Sequence, residues 1–256
     1  MKPIYYLNSS LAISYVSQSQ KIRVMTESWV EEYGFCPNCG NPLIKSRANN
    51  PVGDFTCSKC NEEYELKSKH FSFGKKITDG AYGTMISRLN SDTNPSFFGL
   101  TYSKNLEITN LFVIPKFYFT HKIIEKRKPL SSTARRAGWT GCNILLNLIP
   151  ESGKIYYIQN GESRDKSDVL KDWKKTHFLS EESNLSAKGW LIDVIGCIEL
   201  LGKQEFTLQD LYNFTGILQE KYQGNNNIEA KIRQQLQLLR NNGYLDFIGR
   251  GKYKLC

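Results

Sequence analysis

The sequence predicts a chain of two parts. The first is an α/β mixed-sheet core with an inserted four-cysteine metal site, and the second is an α+β winged-helix domain. Three observations predict this. Two Cys-x-x-Cys pairs lie within a region of turns and short strands, and strand-like runs alternate with helical stripes up to the polar stretch Ser180-Glu181-Glu182-Ser183-Asn184. Beyond that stretch the chain becomes strongly helical and ends in two short strands joined across Gly249-Arg250-Gly251. At 256 residues the chain accommodates two domains of roughly 100 to 200 residues, and we place them at 1–182 and 183–256.

The elements follow in order. After Ser17 and Ser19, either a suitable N-cap, the apolar residues Ile22, Met25, Trp29, Val30 and Tyr33 fall at helical spacing, and Gly34 ends the run. Short strands and a loop over Arg47-Ala48-Asn49-Asn50-Pro51 fill the stretch to Lys67. A second helix is expected from Asp79, with Tyr82, Met85, Ile86 and Leu89 on one face. Strands are expected over Phe97 to Tyr102, Ile108 to Ile114, Phe117 to Thr120 and Lys154 to Ile158, the last before the turn signal Gln159-Asn160-Gly161. The C-terminal helices carry Trp190, Leu191, Val194, Ile195, Ile198 and Leu201, then a capping box at Thr207 and Asp210, then Ile228, Ile232, Leu236 and Leu239. Three helices and a hairpin make a winged helix.

The apolar fraction of 40% together with 19 Gly places the chain in the usual globular range of roughly 45 to 50%. No stretch reaches the roughly 18 to 20 apolar residues of a membrane span, and the run from Leu11 to Val16 lacks the build of a signal peptide. A soluble, cytoplasmic protein with no membrane partner is expected. Net charge is +9, which makes a polyphosphate partner plausible but does not select one.

Cys36-Pro37-Asn38-Cys39 and Cys57-Ser58-Lys59-Cys60 have the spacing of a four-thiolate zinc site. Two residues between thiolates form a tight knuckle that aims both sulfurs at one tetrahedral ion. All four positions are Cys, so the zinc is read as structural; a redox pair, the rival reading, would need only one Cys-x-x-Cys. Cys142, Cys197 and Cys256 show no paired spacing, and neither do the three His.

Between the second knuckle and the following strand lies a second pattern. Alternation along Glu63-Tyr64-Glu65-Leu66-Lys67 puts Glu65 and Lys67 on one face. If Asp54 sits on the neighbouring strand, its carboxylate reaches Glu65, and the two can share a magnesium ion that keeps several waters. Lys67 then stands where it can orient the attacking water and offset charge on a phosphorane-like transition state. Glu-x-Lys recurs by chance on solvated strand faces. Its placement beside the cysteine hairpin, between two helices, instead favours a nuclease core of the PD-(D/E)xK kind with Asp54, Glu65 and Lys67 as the catalytic set. Gly53, not Pro, precedes Asp54.

From His121 to Thr140 six basic residues face a single acidic one, Glu125. Arg135, Arg136 and Trp139 in this stretch suit phosphate contact and base stacking; a solvated basic loop with a core Trp is the plainer alternative. In the last helix, Ala230, Arg233, Gln234 and Gln237 lie opposite the apolar stripe with Lys231 to one side, and Gln can read adenine bidentately. Arg250 and Lys252 at the hairpin tip suit backbone or minor-groove contact. Double-stranded DNA is the partner this distribution favours. A zinc-ribbon winged-helix transcription regulator would use the same basic helix and cysteines but have no need of the carboxylates and Lys67.

Several strings closely resemble the DpnI-type methyl-directed type II restriction endonucleases. They are Glu27-Ser28-Trp29-Val30, Cys36-Pro37-Asn38-Cys39-Gly40-Asn41, Glu63-Tyr64-Glu65-Leu66-Lys67-Ser68-Lys69, Asp79-Gly80-Ala81-Tyr82, Thr133-Ala134-Arg135-Arg136-Ala137-Gly138-Trp139, Lys231-Ile232-Arg233-Gln234-Gln235-Leu236-Gln237 and Gly249-Arg250-Gly251-Lys252-Tyr253. The resemblance spans nearly the whole chain. It implies a monomeric enzyme that cuts GATC when its adenine is methylated, with a zinc-bearing PD-(D/E)xK domain and a winged-helix domain that both read DNA. Residue by residue, Asp54, Glu65 and Lys67 match the catalytic positions, and Cys36, Cys39, Cys57 and Cys60 match the zinc ligands.

Overall fold

A computed structural model describes residues 5–46 and 53–256. The loop expected over 47–51 lies outside the described residues. The chain forms two compact units, Met1–Leu148 with Ser152–Lys174 and Ile149–Glu151 with Lys175–Cys256.

The first unit opens with α1 (Gln18–Tyr33), entered from an extended Ser17 and closed at Gly34. Met25, Trp29 and Val30 bury its apolar stripe. Tyr33 stays half exposed and packs its ring on Trp29 at 5.0 Å. Then come β1 (Leu43–Lys45), β2 (Phe55–Cys57), β3 (Glu63–His70), β4 (Lys76–Ala81), α2 (Tyr82–Asn90), β5 (Ser96–Tyr102), β6 (Ile108–Ile114), β7 (Ile124–Lys126), β8 (Gly141–Leu145), β9 (Ile155–Gln159) and β10 (Glu162–Ser163). Seven of these strands make one sheet in the order β1-β2-β3-β5-β6-β9-β10, and β4-β8-β7 make a second. In the large sheet β3 and β5 run parallel, with β4 and α2 as their crossover, and the other pairs are antiparallel.

Two expectations are corrected here. Asp79 does not open a helix: it lies in β4, paired opposite Cys142 of β8, and α2 starts only at Tyr82. A long-range ladder claims Lys76–Ala81 before the helical run can extend backwards. Phe117 to Thr120 is not a strand either, because Pro115 leads into a 3-10 turn over Lys116–Tyr118. Its apolar side chains read as a strand because they are buried, Tyr118 completely. Two short strands of the second sheet, β7 and β8, together with α3 (Lys166–Thr176), had not been read from the sequence.

The second unit holds α4 (Leu185–Leu201), β11 (Glu205–Thr207), α5 (Leu208–Tyr212), α6 (Thr215–Lys221), α7 (Ile228–Asn241), β12 (Leu245–Gly249) and β13 (Lys252–Leu255). The side chain of Asn184 caps α4 by accepting the N–H groups of Ser186 and Ala187. The capping box forms as its sequence promised: the Asp210 N–H donates to Thr207 Oγ1 at 3.1 Å and the Thr207 N–H donates to Asp210 at 2.7 Å. Those Thr207 bonds hold the Asp210 carboxyl down at about 2. Trp190 of α4 stacks on Tyr222 at 3.6 Å, and Ile228, Ile232, Leu236 and Leu239 bury one stripe of α7. The terminal sheet runs β11-β13-β12, so the hairpin has a third strand and a helix, α6, stands between α5 and α7. Among the described residues no helix is long and apolar enough to cross a membrane.

Gly34 is required by space. Its backbone is ordinary and extended, but a Cβ there would stand 2.4 Å from the Val30 carbonyl oxygen and 3.3 Å from Leu43 Cδ1. Gly34→Ala is expected to cost about 1 to 3 kcal/mol, as overpacking does; an unchanged midpoint in urea denaturation would refute this.

Candidate metal centre, active-site cleft and nucleic-acid surfaces

The two knuckles fold so that the four thiols of Cys36, Cys39, Cys57 and Cys60 lie within 4.8 Å of one another, close enough to hold one metal ion such as zinc. Sulfur pairs approach to 3.5 Å for Cys36 and Cys60 and 3.4 Å for Cys39 and Cys57. The surroundings are those of a thiolate cluster. The Lys59 and Cys60 N–H groups point at Cys57 Sγ, and the Asn41 amide donates to Cys39 Sγ at 3.3 Å. Against the burial that opposes it, the side-chain and backbone amides of Asn41 and the sulfurs of Cys57 and Cys60 bring the Cys39 thiol down to about 6. Burial pushes Cys36 up, and its sulfur lies 3.1 Å from the hydroxyl of Tyr64. A cation among the four sulfurs would offset that burial penalty, so the donor set fits the metal.

β2 leads into the second knuckle and β3 leads out of it, in register at Phe55 with Tyr64 and Thr56 with Glu63. Asp54 immediately precedes β2. Its N–H donates to the Tyr64 carbonyl, and its Oδ2 accepts the Leu66 N–H at 2.8 Å. The carboxylate is thereby fixed across β3 beside Glu65. On the other side Arg23 Nη2 of α1 stands 3.6 Å from Asp54 Oδ1, while its Nε donates to Glu27, which also pairs with Lys45 at 2.7 Å.

Glu65 and Lys67 share a face of β3, as alternation required, and their side chains form an ion pair. Asp54 and Glu65 open into one cleft of about 230 Å³, lined also by Asp79, Gly80, Thr84 and Arg88. The structure brings Asp54, Glu65 and Lys67 together, and it adds a carboxylate that sequence reasoning had not placed in the site. Asp79 of β4 is 5% exposed in its side chain and lies 3.0 Å from Lys67 Nζ. Burial draws Lys67 down, but Glu65 and Asp79 outweigh it and hold the ammonium above its usual range. Glu65 is pushed up by burial against the pull of Lys67, with Asp79 and Asp54 adding to the rise. The Glu65 carboxylate, desolvated and close to two others, would be stabilised by a divalent cation held between it and Asp54.

The basic stretch roots beside this cleft. β4 and β8 pair at Ala81 and Gly141, and the Tyr82 N–H donates to the Thr140 carbonyl at 3.0 Å, so the loop leaves from the strand that ends in the cleft wall. Leu130 and Trp139 close it, with the Leu130 N–H on the Trp139 carbonyl at 2.9 Å. Arg135 and Arg136 are exposed, and the Arg136 guanidinium lies 4.6 Å over the partly covered Trp139 ring.

In the second unit Ala230, Arg233, Gln234 and Gln237 are exposed together on α7, and Arg250 and Lys252 are exposed on the hairpin. Lys231 is partly covered, its ammonium 5.9 Å over the Trp190 ring. Arg233 is tethered to the Tyr212 hydroxyl and Gln237 to Asn241, so Gln234 is the least encumbered of the three. A shallow hollow at the start of α7, lined by Thr215, Gly216, Asn226, Asn227, Ala230 and Arg233, continues the face. The sequence held one signal for it, the polar run Gly224-Asn225-Asn226-Asn227 before the helix.

Comparison with known families gives two matches. Residues 4–182 match the Dam-replacing family (DpnI), and residues 186–255 match the Dam-replacing HTH domain, a DNA-binding unit. With the first match alone covering well over half of the sequence, the chain belongs to the Dam-replacing, DpnI family of restriction enzymes and carries that family's helix-turn-helix domain.

Proposed function

We propose that the chain is a methylation-dependent type II restriction endonuclease that hydrolyses both strands of GATC when the adenine carries a methyl group. Residues 1–182 act as a PD-(D/E)xK nuclease and residues 183–256 as a second DNA reader. The observation that carries this reading is that Asp54 and Glu65 line one cleft at the end of the cysteine-pinned hairpin and that Lys67 is ion-paired to Glu65. A transcription regulator would have no use for that cleft.

Asp54 and Glu65 would hold magnesium, which when bound polarises the phosphoryl group and lowers the pKa of water. Leu66 and Arg23 keep the Asp54 carboxylate aimed into the cleft. The Lys67 ammonium faces the phosphate and offsets the negative charge that develops as water adds to phosphorus and one ester bond breaks. The four cysteines would hold a structural zinc that fixes the far end of the hairpin. Arg135, Arg136 and Trp139 grip DNA at the cleft, and Lys231, Arg233, Gln234, Gln237, Arg250 and Lys252 grip it through the winged helix.

One methyl group in an apolar pocket discriminates only about 10- to 200-fold. Two linked readers multiply such preferences through effective concentration. Trp139 is assigned to the methyl group in the nuclease part, and the face of Ala230, Arg233 and Gln234 to the methyl group read by α7.

Asp54→Ala is expected to abolish cleavage of methylated plasmid while methyl-dependent retention in a gel persists; wild-type cutting by this variant would sink the assignment. Elemental analysis should find about one zinc per chain, and Cys57→Ser should lower the melting temperature, whereas a folded, zinc-free, active enzyme would contradict the structural role. In the full chain, without magnesium, Gln234→Ala should flatten the preference for methylated over unmethylated duplex. Lys252→Ala should weaken both and reduce the salt dependence. An unaltered preference in Gln234→Ala would leave α7 as a reader of sequence or backbone alone.

A further inference from the structure

One buried carboxylate of the cleft has no part in the pair that would hold the cation. Asp79 shares the inward face of β4 with Ile77, which is 3% exposed. A carboxylate at such a core position is costly unless it is paired. Its Oδ1 lies 3.0 Å from Lys67 Nζ but makes no well-directed hydrogen bond. The register of β4 with β8 shifts between Asp79 and Ala81, a bulge that steps the strand at Gly80 beside the cleft; bulges commonly re-aim a side chain next to a site.

Lys67 has few other restraints. Its parallel neighbour on β5 is Gly99, which offers no side chain, and its ammonium stands 5.9 Å from the Phe97 ring. Glu65 is the other anionic partner, and the nuclease reading requires Glu65 for the cation. The Glu65 oxygen that the ammonium engages is a weaker ligand for magnesium, because two cations then compete for the same carboxylate. Asp79, on a different sheet and buried, is free of that conflict.

We propose that Asp79 is a positioning residue that anchors the Lys67 ammonium beside the cleft and thereby frees the Glu65 carboxylate for the divalent cation. The inference rests on the nuclease reading above. Without Asp79 the ammonium falls back on Glu65 alone, so it is displaced from the phosphate and competes with magnesium.

The test uses the full-length, zinc-loaded enzyme on a methylated duplex, with Asp79→Asn, the smaller Asp79→Ser in parallel, Asp79→Glu as the rescue, and Asp54→Ala as the control. The uncharged variants should lower kcat by about 10- to 100-fold, the scale of a displaced catalytic group. KM for DNA should be unchanged and the half-saturating magnesium concentration should rise, with Asp79→Glu recovering most of both. Wild-type kcat and magnesium dependence in a variant with only a lower melting temperature would reduce Asp79 to a fastener between the sheets and overturn the proposal. Inactivity as complete as that of Asp54→Ala at every magnesium concentration would make Asp79 a ligand of the cation, and overturns it equally. Cleavage by Asp54→Ala at the wild-type rate would instead bring down the nuclease reading itself.

Discussion

Two registered residue pairs join β2 to β3, and both chemical centres of the first unit hang from them. At one end the chain turns through Cys57 and Cys60 into the sulfur cluster; at the other Asp54 folds its carboxylate onto the Leu66 N–H. So short a ladder is a weak hairpin by itself, since isolated two-stranded pairs are marginal in water. It survives because β3 is also paired from Tyr64 to His70 with β5 in the middle of a seven-stranded sheet. The metal-type knuckles supply order at the end where backbone pairing runs out. In the cleft, Glu65 and Asp79 stand on paired strands, and Asp54, just before β2, is held by its bonds to Tyr64 and Leu66.

The second unit is built on different forces. α4 is apolar along much of its length, and α7 is divided cleanly between a buried stripe and an exposed polar face. Gln235 is the exception, a buried amide whose Oε1 lacks a hydrogen-bond partner in the core side of the helix. The exposed face mixes the amides Gln234, Gln237 and Asn241 with Glu229, Arg233 and Arg240, whereas the loop in the first unit concentrates guanidinium and ammonium groups.

Much of this was legible in the sequence because it depends on short-range patterns. Cysteine spacing places the knuckles, alternation puts Glu65 and Lys67 on one face, and the threonine and aspartate of the capping box mark the start of α5. What escaped depends on pairing between distant segments. Asp79 read as a helix start because Tyr82, Met85 and Leu89 follow it at helical spacing, and nothing local announces that Cys142 will lie opposite it in β8. Phe117 and its neighbours read as a strand because burial and strand-forming residues coincide there, although Pro115 directs the chain into a turn. Arg23 is similar: on the helix it is an ordinary exposed residue, and only the tertiary fold brings it to Asp54.

Tyr64 and Glu65 are adjacent in β3 and therefore face opposite ways. The tyrosine hydroxyl reaches Cys36 among the sulfurs, and the carboxylate enters the cleft. The turn from Cys60 to Glu63 thus counts residues for both centres at once. Gaining or losing one residue there would invert the strand, turning an aromatic ring into the cleft and a carboxylate toward the thiols. Across natural variants of this fold, that connection should tolerate length change hardly at all, and Asn61, which touches neither centre, should give way only to residues that accept its left-handed backbone (φ 58°).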